Sequence, residues 1–89
     1  MSDQSSDPAL RREAGLLALD RAHRAARDLN GGELRRALEE ARDALHGAGV
    51  SKTAEKVEEA LADLDAGPLD RAELLIEQAR AELAPSRGV

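Results

Sequence analysis

Hydrophobic residues recur every three or four positions along most of the chain, the spacing that places them on one side of an α-helix. Glycine, proline or asparagine interrupts this pattern at residues 30–32, 47–49 and 66–68. The interruptions predict four helices, over residues 8–29, 33–46, 51–65 and 68–84. Because each connection is short, consecutive helices should run antiparallel. We therefore expect an all-α fold, an antiparallel four-helix bundle made of two helical hairpins.

The ends of the predicted helices carry recognisable signals. Asp7 followed by Pro8 is typical of a helix start, Ser51 can cap the third helix, and Pro68 can open the fourth. We expect one four-helix domain over residues 8–84, a disordered N-terminal tail over 1–7 and a C-terminal tail over 85–89.

Three helices have a single narrow apolar stripe, in which large and small side chains alternate as they do in helical bundles. The predicted core positions are Leu34, Ala37, Leu38, Ala41 and Leu45 in the second helix, Val50, Ala54, Val57, Leu61 and Leu64 in the third, and Leu69, Ala72, Ile76, Ala79 and Leu83 in the fourth. Oppositely charged residues four positions apart, Arg35 with Glu39 and Arg36 with Glu40, are expected to pair on the outer faces.

The first helix departs from this pattern because it has a wide apolar face with further leucines outside it. The predicted inward face comprises Leu10, Ala14, Leu17, Ala18, Ala22, Ala25 and Leu29. Leu16 and Leu19 point away from that face, next to Arg12 and His23, and Leu74 points away from the stripe of the fourth helix. Isolated surface leucines are common in monomers. We favour a second apolar surface covered by another chain, with the candidate partner-binding residues Leu16, Leu19, Leu74, Arg12 and His23.

Composition supports an assembly, because the core is short of large side chains. The chain contains no Phe, Tyr, Trp or Cys, and its hydrophobic residues (42%) are mostly Ala and Leu. Disulfides and thiolate metal sites are therefore excluded. The predicted first helix is also eight residues longer than the second, an overhang of about 12 Å. Gly15 is expected to mark a close helix crossing. We expect a homo-oligomer, most simply a dimer, or a complex with another protein.

The charge argues against other partners. The net charge is -5 and the isoelectric point is near 5.0, which disfavours broad affinity for nucleic acids or anionic membranes. The N-terminus has no apolar segment of the kind found in signal peptides, so a cytoplasmic protein is expected. The alternative function is binding of a nucleic acid or an acidic partner by the arginine face of the first helix, formed by Arg11, Arg12, Arg21, Arg24 and Arg27.

A weak internal repeat relates the two hairpins at a period of 35 residues. Its pattern, Ala-x-x-Asp-Leu-x-x-Gly-x-Leu-x-Arg-Ala, occurs at residues 25–37 and again at 60–72. The second half of each unit resembles the tetratricopeptide repeat, which also has a turn glycine followed by alanines. The first half has charged residues where that family has Trp, Leu and Tyr. An alanine-rich hairpin with a glycine turn also explains the matches, so the chain is not assigned to that family.

No motif in the sequence predicts catalysis. Two Asp-x-x-His pairs, Asp20 with His23 and Asp43 with His46, have the spacing of metal ligands on one helix face. We interpret them as surface Asp–His pairs, since they lie on polar faces and too far apart along the bundle to share a metal. No nucleophile with a base is apparent, so neither an enzyme nor a cofactor is expected.

Overall fold

A computed structural model describes residues 8–67 and 69–83, and over these ranges the chain forms four α-helices. They are α1 (Pro8–Arg27), α2 (Gly31–Ala48), α3 (Ser51–Ala66) and α4 (Leu69–Leu83). Each helix packs on the next in sequence, and α4 returns to contact α1. The predicted four-helix bundle of two hairpins is confirmed. The predicted tails, 1–7 and 85–89, lie outside the described residues.

The core is built from alternating leucine and alanine, as the stripes of α2, α3 and α4 predict. All five predicted positions of α2 are buried. In α3 and α4 the central positions are buried, whereas Val50, Leu64 and Leu69 at the helix ends are partly buried against them. These three helices each have one apolar face, so their orientation toward the bundle follows from the sequence alone.

The predicted inward face of α1 is wrong for its three leucines and Ala14, although Ala18, Ala22 and Ala25 are buried as predicted. The buried residues of α1 are Gly15, Ala18, Leu19, Ala22, Ala25 and Ala26, whereas Leu10, Leu17 and Leu29 are all more than half exposed. Because α1 contacts both α2 and α4, its inward side is the one that carries Gly15 and most of its alanines. Small residues there let the helix axes approach closely.

The predicted overhang of α1 is also wrong. The helix α2 begins at Gly31 and ends at Ala48, so it has 18 residues against 20 in α1. Two residues of helix correspond to about 3 Å. The bundle therefore has no long uncovered end of α1, and this reason for expecting a partner chain is removed.

The connections between helices are short, and backbone hydrogen bonds satisfy polar groups at the ends of α1, α2 and α3. The α2–α3 turn is a Schellman motif, in which Val50 N donates to Leu45 O and Gly49 N to His46 O, with Gly49 at φ +79°. The predicted cap by Ser51 does not form: Val50 occupies the N-cap position of α3, without a side-chain hydrogen bond.

Ion pairs join all four neighbouring pairs of helices. They include Arg21–Glu40 between α1 and α2, Arg35–Asp65 between α2 and α3, Arg71–Asp63 between α3 and α4, and Arg80–Asp20 between α4 and α1. The predicted pairs within α2 are replaced, since Arg35 binds Asp65 and Glu40 binds Arg21. Charged side chains at the helix edges reach the neighbouring helix because the helices are packed closely through alanine.

None of the helices in the described part of the chain is long and apolar enough to cross a bilayer.

Candidate interaction surfaces

The predicted partner-binding residues do not form one surface. Leu19 is fully buried (0% exposed), so its assignment to an outer face is wrong; its side chain lies on the side of α1 that faces α2 and α4. Leu16 is half-buried and packs against the core. Together with Leu83 and Arg12 it lines a shallow cavity of about 230 Å³ between α1 and α4.

Leu74 and His23 lie elsewhere. Leu74 is 53% exposed and lines a groove of about 690 Å³ on the outer side of α3 and α4. His23 is half-buried, and its Nδ1 atom is buried without a hydrogen-bond partner. The exposure of Leu74 therefore agrees with the sequence, but it belongs to a different face from Leu16 and Arg12.

The groove beside Leu74 contains a polar cluster that joins α3 to α4. The buried Thr53 donates its hydroxyl to Glu82 Oε1 at 2.8 Å, and Lys56 Nζ lies 3.1 Å from Glu82 Oε2. The hydrogen bond from Thr53, followed by the hydrogen bond and charge of Lys56 and the charge of Lys52, lowers the pKa of Glu82 below its ordinary value, against an opposing effect of burial. The charges in this groove are largely paired within the chain.

The outward side of α1 carries an apolar stripe that the sequence assigned to the core. Leu10 and Leu17 are 55% and 61% exposed, and Ala14 between them is also exposed. The three residues span at most two helical turns. At about 100° per residue they lie roughly 110° around the helix from the centre of the buried side, next to Ala18 and Ala25. We call these residues the α1 stripe.

A second uncovered apolar feature lies at one end of the bundle, where the α1–α2 and α3–α4 turns meet. A groove of about 450 Å³ runs between the two turns. We call it the end groove, and its lining comprises Leu29, Asn30, Gly31, Gly32, Leu34, Arg35, Leu64, Gly67 and Leu69. Six of these residues are matched pairs of the 35-residue repeat: Leu29 with Leu64, Gly32 with Gly67, and Leu34 with Leu69. The repeated motif therefore meets its own copy at this groove.

Leu29 is the most exposed of the large hydrophobic residues described, at 78%. It also has a positive φ of +57°, alone among the described non-glycine residues. Asn30 N donates to Ala25 O at 2.9 Å and Leu29 N to Ala26 O at 3.2 Å, so α1 ends in a Schellman motif with Leu29 at the position usually taken by glycine. The backbone thus holds a leucine outward in a conformation that favours glycine.

The glycines that follow are in ordinary helical positions. Gly31 and Gly32 form the start of α2 without positive φ, and a Cβ atom on either would meet nothing within 4 Å. Asn30 caps this helix, since its side chain accepts a hydrogen bond from Glu33 N. The repeated glycine of the first unit is therefore not the residue that makes the turn, and neither glycine is required by the packing of the described residues.

Sequence reasoning missed the end groove because it treated Leu29 as a core residue and the two glycines as the helix stop. The available signal was a leucine directly before Asn-Gly-Gly, a position that is solvent-exposed when a helix ends there. The closeness of Leu64 and Leu69 to this turn depends on the packing of the second hairpin against the first.

The histidines do not pair with aspartate, which corrects the prediction of surface Asp–His pairs. His46 Nε2 lies 2.8 Å from Glu58 Oε2 of α3, while Asp43 accepts from Arg42 and Asp20 from Arg80. His46 lies at the edge of α2 that faces α3. Arg42 and Arg80 form hydrogen bonds with Asp43 and Asp20 in place of the histidines. Within residues 8–67 and 69–83, no group of three or more metal-ligating side chains is suitably placed for a metal ion.

The arginine face of α1 is partly used within the bundle. Arg21 contacts both Glu40, at 2.6 Å, and Glu33, at 3.8 Å, of α2. Arg12, Arg24 and Arg27 are exposed. Binding of a nucleic acid or an acidic partner by this face stays a prediction.

Comparison of the chain with protein-family models, with curated proteins and with solved structures found no match to any of them. The functional argument therefore depends on the surfaces themselves.

Proposed function

We propose that this protein is a small helical assembly domain that associates with a second copy of itself through its exposed leucines. The observation that carries the proposal is the arrangement of α1, whose inward side is filled by alanine and Leu19 while Leu10 and Leu17 remain more than half exposed on the outer side. Exposed leucines beyond the side of a helix that its own bundle buries are the kind of apolar surface that a partner chain covers. Together with Leu29 and Leu74, these residues leave apolar side chains on three separate surfaces.

The described surfaces suit association with another chain better than catalysis. The described ion pairs mainly join helices within the chain, and the grooves are shallow and open. The leucines would contribute the burial energy, at about 1.5–3 kcal/mol for each side chain fully covered, and the surrounding charges would select the orientation of the partner.

The test is the molar mass of the full chain as a function of concentration. Light scattering with refractive-index detection suits a protein without tyrosine or tryptophan. We expect the mass to rise from 9.5 kDa toward 19 kDa, twice the chain mass, as concentration increases from about 1 µM to 1 mM, a range typical of small interfaces.

Three polar substitutions then distinguish the surfaces: Leu17→Gln on the α1 stripe, Leu74→Gln on the α3–α4 groove and Leu29→Gln at the end groove. Loss of association in one or more of them, with helicity retained by circular dichroism, supports the proposal. A chain that stays at 9.5 kDa throughout overturns it.

A further inference from the structure

We infer that the end groove is the surface through which two copies associate, with Leu29 of each copy inserted between Leu64 and Leu69 of the other. This inference rests on the proposed self-association and names its interface. The end groove and the exposed leucine belong to the same end of the bundle, so a two-fold axis through this end brings each leucine to the partner's groove. An interface of this kind uses the same patch on both copies.

The local structure favours this role for Leu29. Its left-handed backbone is fixed by the two hydrogen bonds that end α1, so the side chain projects outward without relying on contacts of its own. A strained residue that the fold does not need for packing is an indication of function. Glycine at this position would adopt the left-handed conformation without strain, but the chain has leucine there.

The groove is open to a side chain from outside. Leu34 at its base is fully buried, whereas Leu64 and Leu69 are only partly covered. Gly31 and Gly32 have no side chains, so they do not obstruct the entrance to the groove. A Cβ atom would nevertheless fit at both positions. Its volume of about 450 Å³ exceeds that of one leucine side chain.

The charges at this end also suit a second copy. Arg24 and Arg27 in the last turn of α1, Asp28 after it, and Asp70 in the first turn of α4 are exposed, and none takes part in the ion pairs of the described residues. Two cations and two anions make these free charges neutral overall, although the chain carries -5. Two copies can therefore approach at this end without like-charge repulsion between these four groups taken together.

The α1 stripe is less suited to the same partner. An antiparallel pairing that sets Leu10 against Leu17 of a second copy places the two-fold axis between residues 13 and 14. The exposed Glu13 carboxylates of the two copies would then be adjacent. A parallel pairing would also place them at the same height along the two helix axes. Like charges at such short separation oppose association.

The experiment compares dissociation constants of full-length variants by light scattering. Leu29→Gly removes the inserted side chain, and Gly32→Gln fills the groove at a position with free space. Both should raise the dissociation constant about a hundredfold, since each change counts twice in a symmetric interface. Gly32→Ala and Leu17→Gln are the matched controls and should leave it unchanged.

A second measurement uses the absence of natural cysteine. Gly31→Cys, at an uncharged rim position where a Cβ atom meets nothing within 4 Å, should form a disulfide-linked dimer faster than Glu13→Cys under the same oxidising conditions, and adding Gly32→Gln to Gly31→Cys should slow the reaction. A dimer that Leu29→Gly and Gly32→Gln leave intact, or that Leu17→Gln dissociates, overturns the end-groove interface but not self-association. A wild-type chain that is monomeric throughout overturns both.

Discussion

Gly15 of α1 lies directly against Leu45 of α2. A Cβ atom on residue 15 would be 2.7 Å from Leu45 Cδ2 and 3.0 Å from Leu45 Cγ. Leu45 is fully buried, so its side chain has little freedom to move away. The close crossing that the glycine predicts is therefore real, but its partner is α2 of the same chain and not a second copy.

This contact predicts that Gly15→Ala destabilises the protein. Alanine gains about 0.5–1 kcal/mol over glycine within a helix, whereas overpacking a core costs about 1–3 kcal/mol. We expect a net loss of about 1 kcal/mol in the free energy of unfolding, measured by urea denaturation with circular dichroism.

Two further variants check the cause of that loss. In a Leu45→Ala background the space is open, so Gly15→Ala should become stabilising. Gly31→Ala, at a helical position without neighbours, should stabilise the wild-type chain by about 0.5 kcal/mol. A stabilising Gly15→Ala in the wild-type background would contradict the packing argument.

Leu29→Gly is predicted to stabilise the monomer even though it removes a hydrophobic side chain. A left-handed leucine costs about 1–2 kcal/mol, and glycine loses about 0.5–1 kcal/mol of that gain through the entropy of the unfolded chain. The expected increase is up to about 1 kcal/mol, measured at concentrations where the chain is monomeric.

The same substitution at Leu17 serves as the control. Leu17 is also exposed but lies in the interior of α1, where Leu→Gly should cost about 1 kcal/mol. Opposite signs for the two variants are expected. Destabilisation by both would show that the conformation of Leu29 carries no strain.

Glu82→Gln is predicted to lower stability at neutral pH and to have no effect in acid. The pKa of Glu82 is lower in the folded chain, chiefly through the Thr53 hydroxyl, so its carboxylate stabilises the fold above the ordinary carboxyl pKa and this contribution is lost as the pH falls through the lowered value. Because the side chain is 40% exposed, we expect less than about 1 kcal/mol.

Denaturation of Glu82→Gln and wild type between pH 7 and about pH 2 measures this effect. Glu39→Gln is the control, since Glu39 is exposed and takes part in none of the ion pairs of the described residues. A difference between wild type and Glu82→Gln that persists unchanged in acid would assign the effect to packing instead.

The Arg80–Asp20 pair is predicted to contribute to closing the bundle. Its Nε–Oδ1 distance is 2.8 Å, both side chains are about two-thirds covered, and it joins the first helix to the last. A double-mutant cycle with alanine should give a coupling of about 0.5 kcal/mol. The adjacent pair Arg42–Asp43, within α2, should give about zero, and an equal coupling for both would contradict a role in closure.

The four helices and the stripes of α2, α3 and α4 could be predicted because both depend on local pattern. A narrow stripe such as Leu34, Leu38 and Leu45 allows only one inward orientation, and glycine, asparagine or proline ends each helix near its predicted limit. The first helix allowed two orientations, since Leu17 and Leu19 are equally hydrophobic and lie on different sides. The wrong choice there carried Leu19 into the predicted partner surface.

The sequence by itself determined that the chain forms four short helices in two hairpins, with a core of leucine and alanine and without cysteine or aromatic chemistry. Only the tertiary structure decided which side of α1 is buried, because that depends on where Gly15 and the alanines meet α2 and α4. It also decided that the two turns of the repeat share one groove with Leu29 at its rim. Residues 35 positions apart become neighbours only when the hairpins pack side by side, and no local pattern specifies that contact.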